Sequence, residues 1–182
     1  MAHALTKTVL VASAVLACAF GGYVQSRPAD FRYERSGVIQ ATPEVIFPYL
    51  NDFRRGNEWS PYSRKDPHMA FTFAGPAAGV GAQMAFSGNR DVGAGSLEIL
   101  RSEPNASVDV RLTMREPFEG ENLVRYVLVP EGSGTRFTWT MTGTGGFLSK
   151  LVSVLIDCDK MVAGDFAVGI QNLKVLIEST PR

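Results

Sequence analysis

A change of hydrophobic period constrains this chain more than any other feature. Val108, Val110, Leu112 and Met114 alternate with Asp109, Arg111 and Thr113, and Phe137, Trp139 and Met141 alternate with Thr138 and Thr140. The same period of two runs through Met69, Phe71 and Phe73, then through Met84 and Phe86. Such alternation leaves one dry face and one wet face, the pattern of antiparallel strands. Leu97, Ile99 and Leu100 mark another strand, and Leu123 to Val129 a dense one. Gly88-Asn89-Arg90-Asp91 and Glu131-Gly132-Ser133-Gly134 supply turns between them. Strands recurring every ~12–15 residues with such turns predict a meander. After Gly145-Gly146 the period becomes helical, with Leu151, Leu155, Val162, Phe166, Ile170, Leu173 and Ile177 on one stripe. A continuous helix from Leu148 to Ile177 would be about 45 Å long at 1.5 Å per residue. Gly164 and Gly169 weaken it.

Upstream of the meander, Phe31 to Gln40 reads as a strand interrupted near Ser36-Gly37. Thr42-Pro43-Glu44 then opens a helix: Thr42 can cap it, Pro43 suits the first position and Glu44 the positive dipole end. Pro48 keeps that helix short. A further turn spans Phe53 to Trp59, and Ser60-Pro61 ends it. The predicted fold class is α+β: a curved antiparallel sheet of six to seven strands wrapped on a long C-terminal helix, with two short helices after strand 1. One helix is about 10 Å wide and cannot fill the concave side of such a sheet. Aromatic side chains plug the remaining space, or a cavity for an apolar ligand is left.

The N-terminus reads as a separate unit. Lys7 precedes the apolar run from Val9 to Phe20, and no charge occurs from Thr8 to Ser26. A positive start before a short apolar run is the plan of an export signal, and a spanning helix needs roughly 20 apolar residues. Three fates stay open: retention as a membrane anchor through residues 8–24, cleavage near Ala17-Cys18-Ala19, or lipidation of Cys18, since Val15-Leu16-Ala17-Cys18 resembles a bacterial lipoprotein box. The predicted division is thus residues 1–26 as signal peptide or membrane anchor and 27–182 as one domain. The expected location is membrane-anchored or periplasmic.

Composition removes several function classes. Eighteen basic residues balance eighteen acidic ones, so no basic excess points to nucleic acid. Two histidines and two cysteines leave too few ligands for a zinc site of that kind, and no glycine-rich stretch carries the Lys-Ser/Thr of a phosphate loop. No metal and no cofactor is expected. His68 reads as a solvated loop residue and Cys158 as a packed thiol, so no nucleophile has a base beside it. Asp157, Asp159, Lys160 and Asp165 interrupt the apolar helix. Asp159 and Asp165 lie next to the buried stripe, where they are solvated, paired with Lys160, or turned to a cavity. Trp59 and Trp139 read as core or cavity lining, and Phe118, in Glu116-Pro117-Phe118-Glu119, as a loop residue at a cavity mouth.

Several strings, in order, resemble one superfamily. They are Glu34-Arg35-Ser36, Ala41-Thr42-Pro43-Glu44-Val45-Ile46-Phe47, Trp59-Ser60-Pro61, Gly79-Val80-Gly81-Ala82, Pro117-Phe118-Glu119, Gly134-Thr135-Arg136-Phe137-Thr138-Trp139 and Asp159-Lys160-Met161-Val162. Together they make residues 31–178 similar to the START-like helix-grip (SRPBCC) superfamily, in its polyketide cyclase/dehydrase-like branch. The resemblance implies a hydrophobic pocket between sheet and helix. It implies no single reaction, since members include lipid carriers, hormone receptors and aromatic cyclases. Phe86 stands where relatives often carry Trp, which alters pocket shape. The pocket candidates are Trp59, Phe86, Phe118, Tyr126, Trp139, Asp159, Asp165 and Phe166. The preferred reading is a tethered or exported binding module for a hydrophobic small molecule or lipid. The alternative is a cyclase or hydrolase using Asp159, Asp165 or Tyr126 as acid-base groups.

Overall fold

The structure is a computed structural model and describes residues 13, 15–16, 18–155 and 158–179. Residues 1–12 of the N-terminal segment, Asp157, and the side chain of Cys158 lie outside the described residues. In chain order the elements are β1 (Asp30–Ile39), α1 (Pro43–Asn51), α2 (Phe53–Trp59), α3 (Pro61–Lys65), β2 (Ala70–Ala74), β3 (Gln83–Ser87), β4 (Ala94–Glu103), β5 (Ser107–Glu116), β6 (Gly120–Glu131), β7 (Gly134–Thr144), α4 (Phe147–Leu155) and α5 (Cys158–Glu178).

The period-two segments form one seven-stranded antiparallel sheet, ordered β1-β7-β6-β5-β4-β3-β2. Strands β2 to β7 are sequential neighbours, and β1 closes onto β7. Register breaks between β4 and β5, at Ala94/Gly95 and Ile99/Arg101, are the kind of bulge that bends a sheet. Alternation sorts the strands as the sequence requires: Phe137 and Trp139 of β7, with Val124 and Leu128 of β6, are buried on the inner face. The dense strand also alternates, since Leu123 and Val129 of β6 are exposed.

Three local readings change. β1 is not interrupted at Ser36-Gly37; it pairs with β7 along its whole length. A Cβ at Gly37 would stand 2.8 Å from Ile170 Cγ2, so this glycine admits α5 against the strand instead of breaking it. The Thr42 hydroxyl caps no helix N–H; it bonds the Glu44 carboxylate and holds that carboxyl below its ordinary value. Ser60-Pro61 ends α2 but also starts a third short helix, α3, because the Ser60 Oγ accepts from the Tyr62 N–H and Pro61 occupies the first helical position.

The helix α5 is fastened at several points. Asn172 Nδ2 donates to the Trp59 carbonyl at 3.1 Å and Lys174 Nζ to the Val38 carbonyl at 3.1 Å. The Gln40 N–H donates to Glu178 Oε1 at 2.8 Å. The core between helices and sheet includes Ile39, Ile46, Phe137, Phe166 and Leu173. Residues 18–26 are helical, and their end meets α4, where Lys150 Nζ donates to the Gln25 carbonyl at 3.0 Å. Among the described residues no helix is long and apolar enough to cross a membrane.

Candidate functional site

The inner face of the sheet and the helices do not meet everywhere. Between them lies a cavity of about 260 Å³. Alternation delivers one wall: Phe86, Leu112, Tyr126, Trp139 and Met141 project inward from β3, β5, β6 and β7. The opposite wall comes from α2, α3 and α5, through Phe53, Trp59, Tyr62, Val162 and Phe166. A larger open depression of about 840 Å³ lies across β1, β4, β5, β6 and β7, and includes Arg32, Leu100, Arg111 and Leu123. It is shallow, and most of these side chains belong to the wet face of the sheet.

Aromatic rings organise the cavity. Tyr126 and Trp139 are direct cross-strand partners, with ring centroids 5.5 Å apart and planes at 74°. Trp139 stacks on Phe166 of α5 at 4.2 Å and 10°, and Trp59 stands edge-on to Trp139 at 5.3 Å. Such stacked and edge-on pairs add to the area they bury. The Trp59 indole N–H donates to the Tyr49 carbonyl at 3.0 Å. Two polar atoms in the lining, Trp139 Nε1 and Ser63 Oγ, are buried without a hydrogen-bond partner among the described residues. Burial drives the Tyr126 hydroxyl above its ordinary pKa. The Tyr62 hydroxyl is raised first by burial, then by the Asp165 charge and by Tyr126. Both phenols are therefore neutral at physiological pH and offer an O–H.

The residues singled out from sequence fall into two groups. Trp59, Phe86, Tyr126, Trp139 and Phe166 border the cavity. Phe118, Asp159 and Asp165 are not part of its lining. Phe118 is 50% exposed. Asp159, 60% exposed at its side chain, faces Arg35 of β1 at 3.4 Å, and Asp165, 18% exposed, binds Lys65 of α3 at 2.7 Å. Asp165 thus packs at the edge of the Tyr62 side of the site, where its charge acts on the phenol. Cys18 is exposed on the N-terminal helical segment. Among the described residues no group of three or more His, Cys, Asp or Glu side chains could hold a metal ion. Tyr62, Ser63 and Asn57 of the lining are not among the residues singled out from sequence; for Tyr62 and Ser63 the signal, a Ser-Pro helix start in place of a stop, was present.

The family described as polyketide cyclase/dehydrase and lipid transport matches residues 30–178. No curated protein resembles this chain closely enough to count as a match. Among solved structures, protein MLL2253 from Mesorhizobium loti is 18% identical, with a TM-score of 0.61 over 84% of this chain and 100% of that one. Protein CV1439 from Chromobacterium violaceum is 16% identical, with a TM-score of 0.58 over 85% of this chain and 100% of that one. The solution structure of the Aha1 dimer from Colwellia psychrerythraea is 18% identical, with a TM-score of 0.58 over 82% of this chain and 97% of that one. At these identities the likeness is one of fold.

Proposed function

This chain belongs to the polyketide cyclase/dehydrase and lipid transport family, and from that premise we propose that it is a binding module whose cavity holds a hydrophobic small molecule or lipid. The cavity itself carries the reading: about 260 Å³ of space bordered by aromatic and aliphatic side chains inside a folded core. Space of this size is uncommon in a protein interior, because voids cost contacts on every side. Holding is favoured over conversion by the state of the polar groups. Tyr126 is raised in pKa and serves as a donor at neutral pH, not as a base. Asp159 and Asp165 are turned to Arg35 and Lys65.

The proposal extends to location. The charge-free stretch from Thr8 to Ser26, with Val15, Leu16, Phe20 and Tyr23 exposed on its helical part, supports tethering to a membrane or export across it. Fractionation of the full chain tests this point: recovery with membranes or outside the cytoplasm is expected, and unprocessed recovery in the cytosol contradicts it. Native mass spectrometry of the full chain, released from detergent, tests the binding reading. A co-purified apolar molecule is expected. A chain that carries none, and takes up none from a mixture of apolar compounds, refutes the reading.

A further inference from the structure

The lining of the cavity is selective in charge. Among the described residues its only charged side chain is Asp52, and Asp52 Oδ1 already accepts from the Arg54 N–H at 2.8 Å as the cap of α2. No Lys, Arg or His belongs to the lining among the described residues. Lys65, two residues beyond Ser63, is bound to Asp165 instead. The remaining polar side chains are neutral; Asn57, Asn122, Ser60 and Tyr49 are among them, and the hydroxyls of Tyr62, Ser63 and Tyr126 and the indole N–H of Trp139 can donate. Ser63 Oγ and Trp139 Nε1 have no acceptor among the described residues, and a buried donor left unpaired is costly.

An anionic head group placed here would lose its hydration and meet no counter-charge, which buried charges do not tolerate. A carbonyl or ether oxygen can instead accept from the neutral hydroxyls of Tyr62 and Tyr126, which belong to the lining. Size narrows the class further. A volume of about 260 Å³ equals about nine water molecules at their share of the liquid, ~30 Å³ each. Protein interiors pack more densely than liquids, so the space suits a compact molecule of one or two rings and is small for a two-chain lipid. We propose that the cavity selects an uncharged, compact, apolar molecule bearing a hydrogen-bond acceptor, and that it rejects carboxylates and two-chain lipids of similar hydrophobicity. This inference rests on the reading of the cavity as a site for an apolar ligand.

Trp59 and Trp139 are the only tryptophans in the chain, and both border the cavity, so tryptophan emission reports its occupancy. The full chain is titrated near neutral pH with three probes that share one ring system: 2-acetylnaphthalene, its anionic counterpart 2-naphthoate, and 2-ethylnaphthalene, which lacks the acceptor. Calorimetry checks the absorbing probes. The ketone is expected to bind at least ~10-fold more tightly than the carboxylate, and several-fold more tightly than the hydrocarbon, the scale of one hydrogen bond. In a Tyr62→Phe, Ser63→Ala double variant, which keeps the ring and leaves Tyr126 as a donor, the advantage of the ketone over the hydrocarbon is expected to shrink while thermal unfolding stays cooperative. Carboxylate binding equal to or tighter than the ketone overturns charge selection, and a ketone no better than the hydrocarbon in the native chain overturns acceptor recognition. Binding of a phosphatidylcholine in preference to all three probes overturns this inference but leaves the apolar-ligand reading intact. Failure of every compound to bind overturns both.

Discussion

The two faces of the sheet are made from alternate residues of the same strands, yet they treat charge in opposite ways. On the outer face Arg111 lies 3.3 Å from Glu98 and 3.8 Å from Glu121, and Arg125 lies 3.4 Å from Asp109. Glu34 of β1 takes hydrogen bonds from Arg32 and, at 2.8 Å, from the Thr140 hydroxyl. On the inner face the matching positions of β6 and β7 are Val124, Tyr126, Leu128, Phe137, Trp139 and Met141. Asp109 is 15% exposed, but the other outer charges are largely solvated, so those pairs contribute little to stability. The inner face supplies the stabilising burial, and the same face supplies the cavity. Stability and ligand selection therefore compete for one set of side chains, while the outer face is free to vary.

The largest effect expected is at the inner face. Phe137 is 0% exposed, and Phe137→Ala should cost about 3–5 kcal/mol by denaturant unfolding; a loss below ~1 kcal/mol would mean that this face is not the core. Two glycines of α5 sharpen the contrast between faces. A Cβ at Gly169 would lie 2.7 Å from Trp139 Cζ3 and 3.1 Å from Pro61 Cδ. Trp139 is 5% exposed and held by stacked rings, so Gly169→Ala should destabilise by about 1–3 kcal/mol through overpacking, despite the ~1 kcal/mol that alanine gains over glycine in a helix. At Gly164 nothing lies within 4 Å. There the helix term acts alone, and Gly164→Ala should raise stability by up to ~1 kcal/mol. Equal signs at the two sites would break the account of how α5 packs.

Outer-face changes should be smaller. The Thr140 hydroxyl, ahead of Arg32, holds the Glu34 carboxyl below its ordinary value of 4.5. A lowered native pKa contributes stability that is complete above the unfolded value and fades as pH falls through the native one. Thr140→Val should therefore lower stability at neutral pH by about 1 kcal/mol and flatten its dependence on pH below 4.5. An unchanged acid limb in Tm would show that Thr140 does not set this carboxyl. Smallest of all, Glu121→Ala should change stability by less than ~1 kcal/mol, with any loss removed by salt. A larger, salt-insensitive loss would contradict the picture of a solvated outer face.

How much of this was legible in the sequence follows from the range of the interactions. The sheet and α5 were legible because alternation and helical stripes are local signals that burial then enforces. The cavity residues Phe86, Tyr126, Trp139 and Phe166 were legible for the same reason, since each lies on a dry stripe. Asp159 and Asp165 were read against Lys160, a helical neighbour; their partners, Arg35 and Lys65, lie 124 and 100 residues away in sequence. No periodicity reports pairings of that length. Tyr62 and Ser63 were hidden by a local ambiguity, because Ser-Pro is both a helix stop and a helix start. Gly37 was misread likewise: its missing side chain answers to Ile170 on a distant helix.

The central claim is that the inner face leaves a ligand-sized apolar space beneath α5. A crystal structure of the chain grown with 2-acetylnaphthalene addresses it most directly. Density for the ligand is expected between Phe86, Met141, Trp139 and Tyr62, with the Trp139–Phe166 stack retained. Rings of Trp59, Tyr126 and Trp139 collapsed into that space, with no density for the probe, would contradict it.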